Sequence, residues 1–276
     1  MRVTMLGLGL IGGSVARAAV AAGMDVRAWT PDGVGPRAAE GDGISAANNV
    51  DDAVDGADLV VLAAPPLACL ELIDSLAGMS LRTETVVTDV ASTKRAIVER
   101  ASSAGLRFVG GHPLAGKETT GYGASEPDLF RDRPWVLVPP QPADEATVDR
   151  VATLVDACGA RLVRMTASDH DRAVAAISHL PLLLAAALAE SVAASPDWHA
   201  AQALAAGGWD SMTRLARGDV AMGSGIFATN PAEIGARLAA LRSTLDAWAA
   251  DLESGDVQAR AGEHLARARA ALEEGS

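Results

Sequence analysis

Short apolar runs recur through the first 165 or so positions, and most are followed by a stretch of helical period. Val3–Leu6, Met24–Trp29, Ala57–Ala64, Thr85–Thr88, Leu106–Val109, Trp135–Val138 and Arg161–Arg164 read as strands, those at Ala57 and Thr85 as buried ones. Val15–Ala22, Leu67–Leu76, the stretch from Lys94 to Ala104, and Glu145–Cys158 read as helices between them; Gly43–Val54 reads as a short strand or loop running into a helix start. Strand alternating with helix predicts an α/β fold, a parallel sheet with helices on both faces. From Ser168 onward strand signals stop, and Ala173–Ala194, Trp198–Ala206, Pro231–Leu252 and Val257–Glu274 carry helical period. The expected organisation is therefore an α/β domain over 1–166 and an all-helical domain over 167–276, without a long linker or repeat.

Composition narrows the partners. The chain has 276 residues, 49% hydrophobic and 21% charged, with a net charge of −12. It can bury a core, but it lacks the basic face a nucleic acid requires and any polybasic membrane patch. An acidic protein with an anionic substrate needs a local cluster of arginine or lysine. Cys69 and Cys158 are far apart and in no metal-like spacing, a reduced, cytoplasmic pattern. Glycines at 7, 9, 12 and 13 break the apolar N-terminus as a signal helix. No run reaches the 18 or so apolar residues of a membrane span; Pro181–Ala194 comes nearest and is interrupted by Glu190.

Between the first strand and the first helix stands Gly7-Leu8-Gly9-Leu10-Ile11-Gly12-Gly13-Ser14, a G-x-G-x-x-G turn in the context that makes it a dinucleotide signature. The first glycine allows the turn, the second lets a pyrophosphate approach the backbone, and the third lets helix and strand pack closely. The end of the second strand, where an acidic residue would bind the ribose of NAD, holds Thr30, with Asp32 two residues on; Arg27 and Arg37 are the nearest candidates for a 2′-phosphate. Either NAD or NADP is compatible, and Asp32 tilts the balance toward NAD.

The other chemistry-bearing residues fall just after strand ends. His112, in Gly110-Gly111-His112-Pro113-Leu114-Ala115-Gly116, is expected on a loop at the tip of the Leu106–Val109 strand, and histidine exchanges a proton near neutral pH. Ala64-Pro65-Pro66, Ser92 and His112 should converge on one crevice beside the glycine turn. By itself Ser92 reads as a helix cap and Lys94 as a solvated lysine. His170 and His179, nine residues apart, face opposite ways on a straight helix, about 180° at roughly 100° per residue. Pro181 leaves the Ile177 carbonyl without its helical donor. Arg214 and Arg217, after the Gly207-Gly208 break, are the best source of positive charge for an anionic substrate.

Together these residues resemble the prephenate and arogenate dehydrogenases of tyrosine biosynthesis, over essentially the whole chain. The resemblance lies in the glycine turn, Asp89-Val90-Ala91-Ser92-Thr93-Lys94, His112-Pro113-Leu114-Ala115-Gly116 with Gly121 and Leu129-Phe130, His170-Asp171 with Ser178-His179-Leu180-Pro181, and, less fully, Thr213-Arg214-Leu215-Ala216 with Asn230. It implies a Rossmann domain, a helical domain through which two subunits dimerise, and oxidative decarboxylation of a cyclohexadienol using NAD or NADP. It further implies His112 as the base for the substrate hydroxyl, Ser92 holding His112 and that hydroxyl in register, and Arg214 clamping a carboxylate. His179 would lie in the substrate pocket, Lys117 and Glu118 near its mouth, and Arg217 would be a weaker substrate contact. Cofactor contacts would come from Gly7, Gly9, Leu10, Ile11, Gly12, Thr30, Asp32, Ala64 and Pro65.

Two positions depart from the family pattern. Leu182 stands where a histidine is frequent, and Ser211 where an aspartate is, with Asp210 displaced by one. Prephenate, arogenate and an amino-substituted prephenate therefore all stay open as substrates. No appended tyrosine-sensing domain is expected. Two other readings keep the Rossmann half. A β-hydroxyacid dehydrogenase would place a catalytic lysine on the helical domain, whereas both lysines, Lys94 and Lys117, precede it. A nucleotide-binding protein without catalysis would have no need of His112.

Overall fold

The computed structural model describes residues 1–117 and 119–274; Glu118, expected near the substrate, lies outside the described residues. Among them, eight strands form one sheet: β1 (Arg2–Leu6), β2 (Asp25–Trp29), β3 (Ile44–Ala46), β4 (Leu59–Leu62), β5 (Val86–Asp89), β6 (Phe108–Pro113), β7 (Pro134–Val138) and β8 (Arg161–Arg164). Their order is β3-β2-β1-β4-β5-β6-β7-β8, so the first six follow the dinucleotide-binding order with its switch point between β1 and β4. Alternate residues feed opposite faces. Val3, Met5, Leu59 and Val61 enter the core layer that packs on α1 (Leu10–Ala21), while Leu6, Val60 and Leu62 enter the layer on the other side. That second layer includes Cys69 and Ile73 of a helix that begins at Pro66 and ends at Ala77.

The sheet is not wholly parallel. β6 pairs antiparallel with β7, Gly110 opposite Val138 and His112 opposite Val136, and β7 then runs parallel to β8. His112 is thus inside a strand and not on a loop at its tip, which corrects the expectation drawn from the glycines. Those glycines serve packing. A Cβ on Gly111 would lie 2.4 Å from the Asp89 carbonyl oxygen, and one on Gly110 would lie 2.9 Å from Val98 Cγ2 and 3.2 Å from Lys94 Cδ.

Lys94 is likewise not a solvated lysine. It is fully buried, and its ammonium is hydrogen-bonded to the Asp89 carboxylate, also fully buried. Asp89 accepts in addition from the Gly111 and Ala91 N–H groups, at 3.0 Å each. Burial pushes the Asp89 carboxyl upward, and the ammonium with these two N–H groups pulls it back. The pair therefore sits under the strand that carries His112 and locks β5 to β6.

Between the strands, α2 (Val34–Ala38), α3 (Val50–Val54), α4 (Pro66–Ala77), α5 (Arg95–Ser103) and α6 (Glu145–Ala157) follow α1, and beyond β8 the chain is helical: α7 (Ala167–Val174), α8 (Leu180–Ala193), α9 (Trp198–Ala203), α10 (Gly207–Thr213) and α11 (Val220–Thr229). The Gly207-Gly208 pair begins a helix instead of breaking one, and α11 was not foreseen. Between α7 and α8 lies a π-helical turn, Ala175–His179, ending two residues before Pro181. With its wider i→i+5 hydrogen bonding, this turn advances less per residue and resets the phase of the helix. His170 and His179 are both buried in consequence, not one in and one out.

By length and composition alone the helix Ala167–Ala193 reaches the range of a bilayer span, with a mean hydropathy of 1.7 in its most apolar window, but Asp169, Asp171, Arg172 and Glu190 interrupt it as an apolar run. Its polar residues tie it to the sheet, as described below.

Contacts divide the chain into two compact units, Met1–Pro231 and Ala232–Ser276. The second holds most of α12 (Pro231–Leu252) and all of α13 (Val257–Glu274). The His264 ring stacks on Trp248 at 4.4 Å, and Asp251 accepts from Arg260 at 2.9 Å and pairs with His264 at 3.0 Å.

Replacing Lys94 by methionine leaves a buried carboxylate without its cation. The expected loss is about 3–5 kcal/mol of unfolding free energy, read as a lower urea midpoint; a midpoint like that of the parent would show that Asp89 does not depend on the pair.

Candidate active site

The glycine turn is shaped for a pyrophosphate. Gly7 has φ +110°, and a Cβ there would lie 2.1 Å from the Ala63 carbonyl oxygen at the end of β4. A Cβ on Gly12 would lie 2.3 Å from the Gly7 oxygen. These two glycines are therefore required by close packing of turn, strand and helix. Gly9 differs: nothing lies within 4 Å of where its Cβ would be, and no side chain caps the helix that starts after it. Open space over free N–H groups at a helix N-terminus is an anion cradle, with Leu10 and Ile11 forming the first turn.

A groove of about 440 Å³ continues from Leu8 and Gly9 past Thr30, Pro31, Asp32, Val34 and Gly35 to Gly121, Tyr122 and Gly123. The Asp32 carboxylate accepts from the Val34 N–H at 3.0 Å and the Thr30 hydroxyl at 2.9 Å, and these bonds hold it below its ordinary range. It is charged at neutral pH at the place where a ribose would lie. Arg37 donates to the Asp32 carbonyl at 2.8 Å. Ala64 and Pro65 follow β4 on the other side of the turn, half-buried, before the helix that begins at Pro66.

His112 is 8% exposed. Its Nδ1 lies 2.8 Å from Nε2 of His170, and His170 Nδ1 lies 2.8 Å from Oδ1 of Asp171. Asp171 also accepts from the main-chain N–H groups of Lys94 (2.7 Å) and Arg95 (2.9 Å) at the start of α5 (Arg95–Ser103). Ser92 therefore does not cap that helix; a carboxylate from α7 does. The hydrogen bond that holds the His112 ring runs from Nδ1 to His170 and leaves Nε2 facing the side where Ser92 is expected to act. Burial drives the His112 pKa well below the ordinary histidine range, with nearby His170, Lys94 and His179 adding to the effect. The ring is neutral at pH 7.

His179 is fully buried. The Asn230 amide nitrogen donates to the Asp171 carbonyl at 2.9 Å and lies 3.3 Å from His179 Nδ1. With both amide hydrogens so used, Nδ1 is an acceptor and the proton of neutral His179 sits on Nε2. That Nε2 has no hydrogen-bond partner. Burial lowers the His179 pKa to about 4, against the pull of Asp171 and of the adjacent Ser92 main chain. Buried beside the Ser92 main chain, this Nε2–H can donate to an acceptor that enters there.

His112, His170, Asp171, His179, Asn230 and the Ser92 main chain are thus one cluster. Arg214 and Arg217 line a different, exposed hollow of about 510 Å³ with Asp210 and Ser211. Lys117 is paired with Glu126 at 2.6 Å. Sequence reasoning had no role for His170, Asp171 or Asn230 in the site. A charged residue inside the apolar stretch Ala173–Ala194 would have drawn attention, but Asp171 lies just ahead of it, where acidic residues commonly begin a helix.

Residues 16–164 match the family model described as prephenate dehydrogenase, nucleotide-binding domain, and residues 166–267 match that described as prephenate dehydrogenase, dimerization domain. The chain belongs to the prephenate dehydrogenase family. It is 31% identical to the prephenate dehydrogenase of Bacillus subtilis over 245 residues, 84% of this chain and 65% of that one, so it spans about two thirds of that relative's length. Among solved structures, Synechocystis arogenate dehydrogenase matches with 29% identity and a TM-score of 0.83, covering 100% of both chains. Prephenate dehydrogenase from Aquifex aeolicus, solved with hydroxyphenyl propionate and NAD+, shares the fold at a TM-score of 0.90 and 24% identity, covering 100% of this chain and 98% of that one.

Two outcomes follow. Gly9→Val should fold with the parent's stability yet lose nucleotide binding by calorimetry, because its side chain enters only the cradle; retained binding would move the pyrophosphate elsewhere. His112 and His179 both have lowered folded-state pKa values, so the unfolded chain binds more protons below pH 6.5. Stability should therefore fall as pH drops from about 6.5 toward 4, by on the order of 3 kcal/mol for His179 alone. Urea midpoints that do not change over that window would mean these rings are protonated in the native state.

Proposed function

We propose that this chain catalyses the nucleotide-dependent oxidative decarboxylation of prephenate or arogenate, giving 4-hydroxyphenylpyruvate or tyrosine, with NAD as the favoured cofactor. Family membership supports the reaction, and the observation that carries it to this site is the buried, neutral His112 held on one ring nitrogen only. The Gly9 cradle and the charged Asp32 fit a dinucleotide with a free ribose hydroxyl, which Asp32 can accept from. The bound nicotinamide would supply the hydride acceptor.

The residues of this chain do the rest. His112 takes the proton of the ring hydroxyl as the carbinol C–H bond breaks and the carbonyl forms. The bond to the ring carboxylate then breaks, CO2 leaves, and its electron pair makes the ring aromatic. The Nε2–H of His179 donates to a substrate oxygen, and Ser92 borders the same space. Arg214 binds a substrate carboxylate, with Arg217 and Lys117 around the entrance. That assignment brings the exposed hollow of Arg214 and the histidine cluster to one substrate, a juxtaposition that substrate binding to Arg214→Ala would measure. The oxidoreductase domain extends over 1–166 and the helical domain over 167–276.

Exposed apolar side chains on the helical part, including Ile177, Leu204, Met212 and Val220, support a homodimer formed through it. The hydrogen bonds of His170 and Asp171 to the sheet half favour a cytoplasmic enzyme over a membrane-spanning one.

The deciding measurement is absorbance of the reduced nicotinamide with prephenate or arogenate and NAD or NADP in all four pairings. Turnover with NAD in one pairing is expected, and His112→Asn should lower it about 10²–10⁴-fold with nucleotide binding intact. Silence in all four pairings with nucleotide still bound would favour an amino-substituted prephenate as substrate or a binding protein.

A further inference from the structure

We infer that His170, anchored by Asp171, is a positioning residue that sets the tautomer of His112, placing a proton on Nδ1 and leaving Nε2 bare to accept the substrate's proton. The inference rests on the reading of His112 as the base and adds how the protein prepares it.

Proton counting along the chain of contacts carries the argument. Asp171 accepts two main-chain N–H groups and lies at the N-terminus of α5, so it is held as a carboxylate: these bonds and the one from His170 outweigh its burial. A carboxylate only accepts, so the proton at the 2.8 Å contact belongs to His170 Nδ1. In neutral His170, Nε2 then carries a lone pair. That lone pair faces His112 Nδ1 at 2.8 Å, so His112 must donate and its own proton lies on Nδ1. Nε2 is left as the free base.

Two features favour this arrangement over an imidazolium at His170, which would donate both ways and leave His112 with its proton on Nε2. The Asp171 charge is already met by the Lys94 and Arg95 N–H groups. The cluster also borders the buried Lys94 ammonium, and a second buried cation there is costly. During turnover the arrangement reverses usefully. As His112 Nε2 accepts the proton, the positive charge on the ring is stabilised through the Nδ1–H bond to His170 and on to Asp171. No covalent bond is made to either residue. The rings cross edge to face, 74° between planes, so the contact is a directed hydrogen bond and not a stack.

The protein with ¹⁵N-labelled histidine rings tests this without substrate. It has five histidines, and His112→Asn identifies the His112 signals. At pH 7 the Nδ1 of His112 should read as protonated and its Nε2 as bare; a protonated Nε2 overturns the inference. His170→Leu removes the acceptor, so His112 should shift toward the Nε2–H form and kcat should fall on the order of 10²-fold, with the KM for nucleotide unchanged. In His170→Gln the amide can turn its oxygen to His112 and its NH₂ to Asp171, which should restore the Nδ1–H form and most of kcat. A fall in kcat in His170→Leu with the His112 tautomer unchanged would make His170 mere packing and sink the relay. If His170→Leu does not fold, the parent spectrum and His170→Gln still decide. Failure of the base reading itself has a different mark: His112→Asn keeps full turnover whatever the tautomer.

Discussion

One buried carboxylate organises the junction between sheet and helices. Asp171 lies on the first helix after the sheet, yet it satisfies the two leading N–H groups of α5. Those groups would otherwise be buried without partners, at a cost of roughly 1–3 kcal/mol each. In the same stroke it anchors His170, and through its carbonyl it receives Asn230 from the end of α11. Three elements distant in sequence are thereby held by one residue. The position of His112 relative to the helical residues follows from this, because β6 is itself fixed to β5 by Asp89 and Lys94.

The electrostatics of the site share a logic. An ammonium, two carboxylates and three imidazoles lie together with almost no exposure. Such a set is stable only if the charges pair off, and they do: Lys94 with Asp89, and Asp171 with donors from the main chain and His170. The imidazoles of His112 and His179 are then left neutral, both pushed below the usual range. The proton of His179 lies on Nε2 by virtue of Asn230, and that of His112 on Nδ1 by virtue of His170. One ring therefore offers a donor and the other an acceptor, the pair needed to hold an oxygen and remove its proton.

The glycines divide the same way. Gly7, Gly12, Gly110 and Gly111 are glycines because protein atoms occupy the space of a side chain, and Gly9 because that space is empty. In the sequence all five look alike. Only the neighbours, contributed by β4, β5 and α5, tell a packing glycine from one that leaves room for a ligand. This is why the glycines before His112 read as a loop when they belong to a strand.

Much was legible without coordinates. Apolar runs of strand length alternating with helical period are a local property of the chain, and they determined most of the strands and the change to helices after β8, while the order of the strands came from the tertiary pairing. The glycine turn and His112 were visible because glycine and histidine spacing is also local. What the tertiary structure decided were the features that depend on partners far along the chain. The antiparallel β6–β7 pairing placed His112 within a strand. The π turn before Pro181 brought His170 and His179 into one cluster against the phase of a straight helix. The burial of Lys94 depended on Asp89 and on the missing side chain at 110. Periodicity records which face of an element avoids water; it carries no record of which polar groups meet across that face, and in a buried cluster those meetings set every charge and every proton.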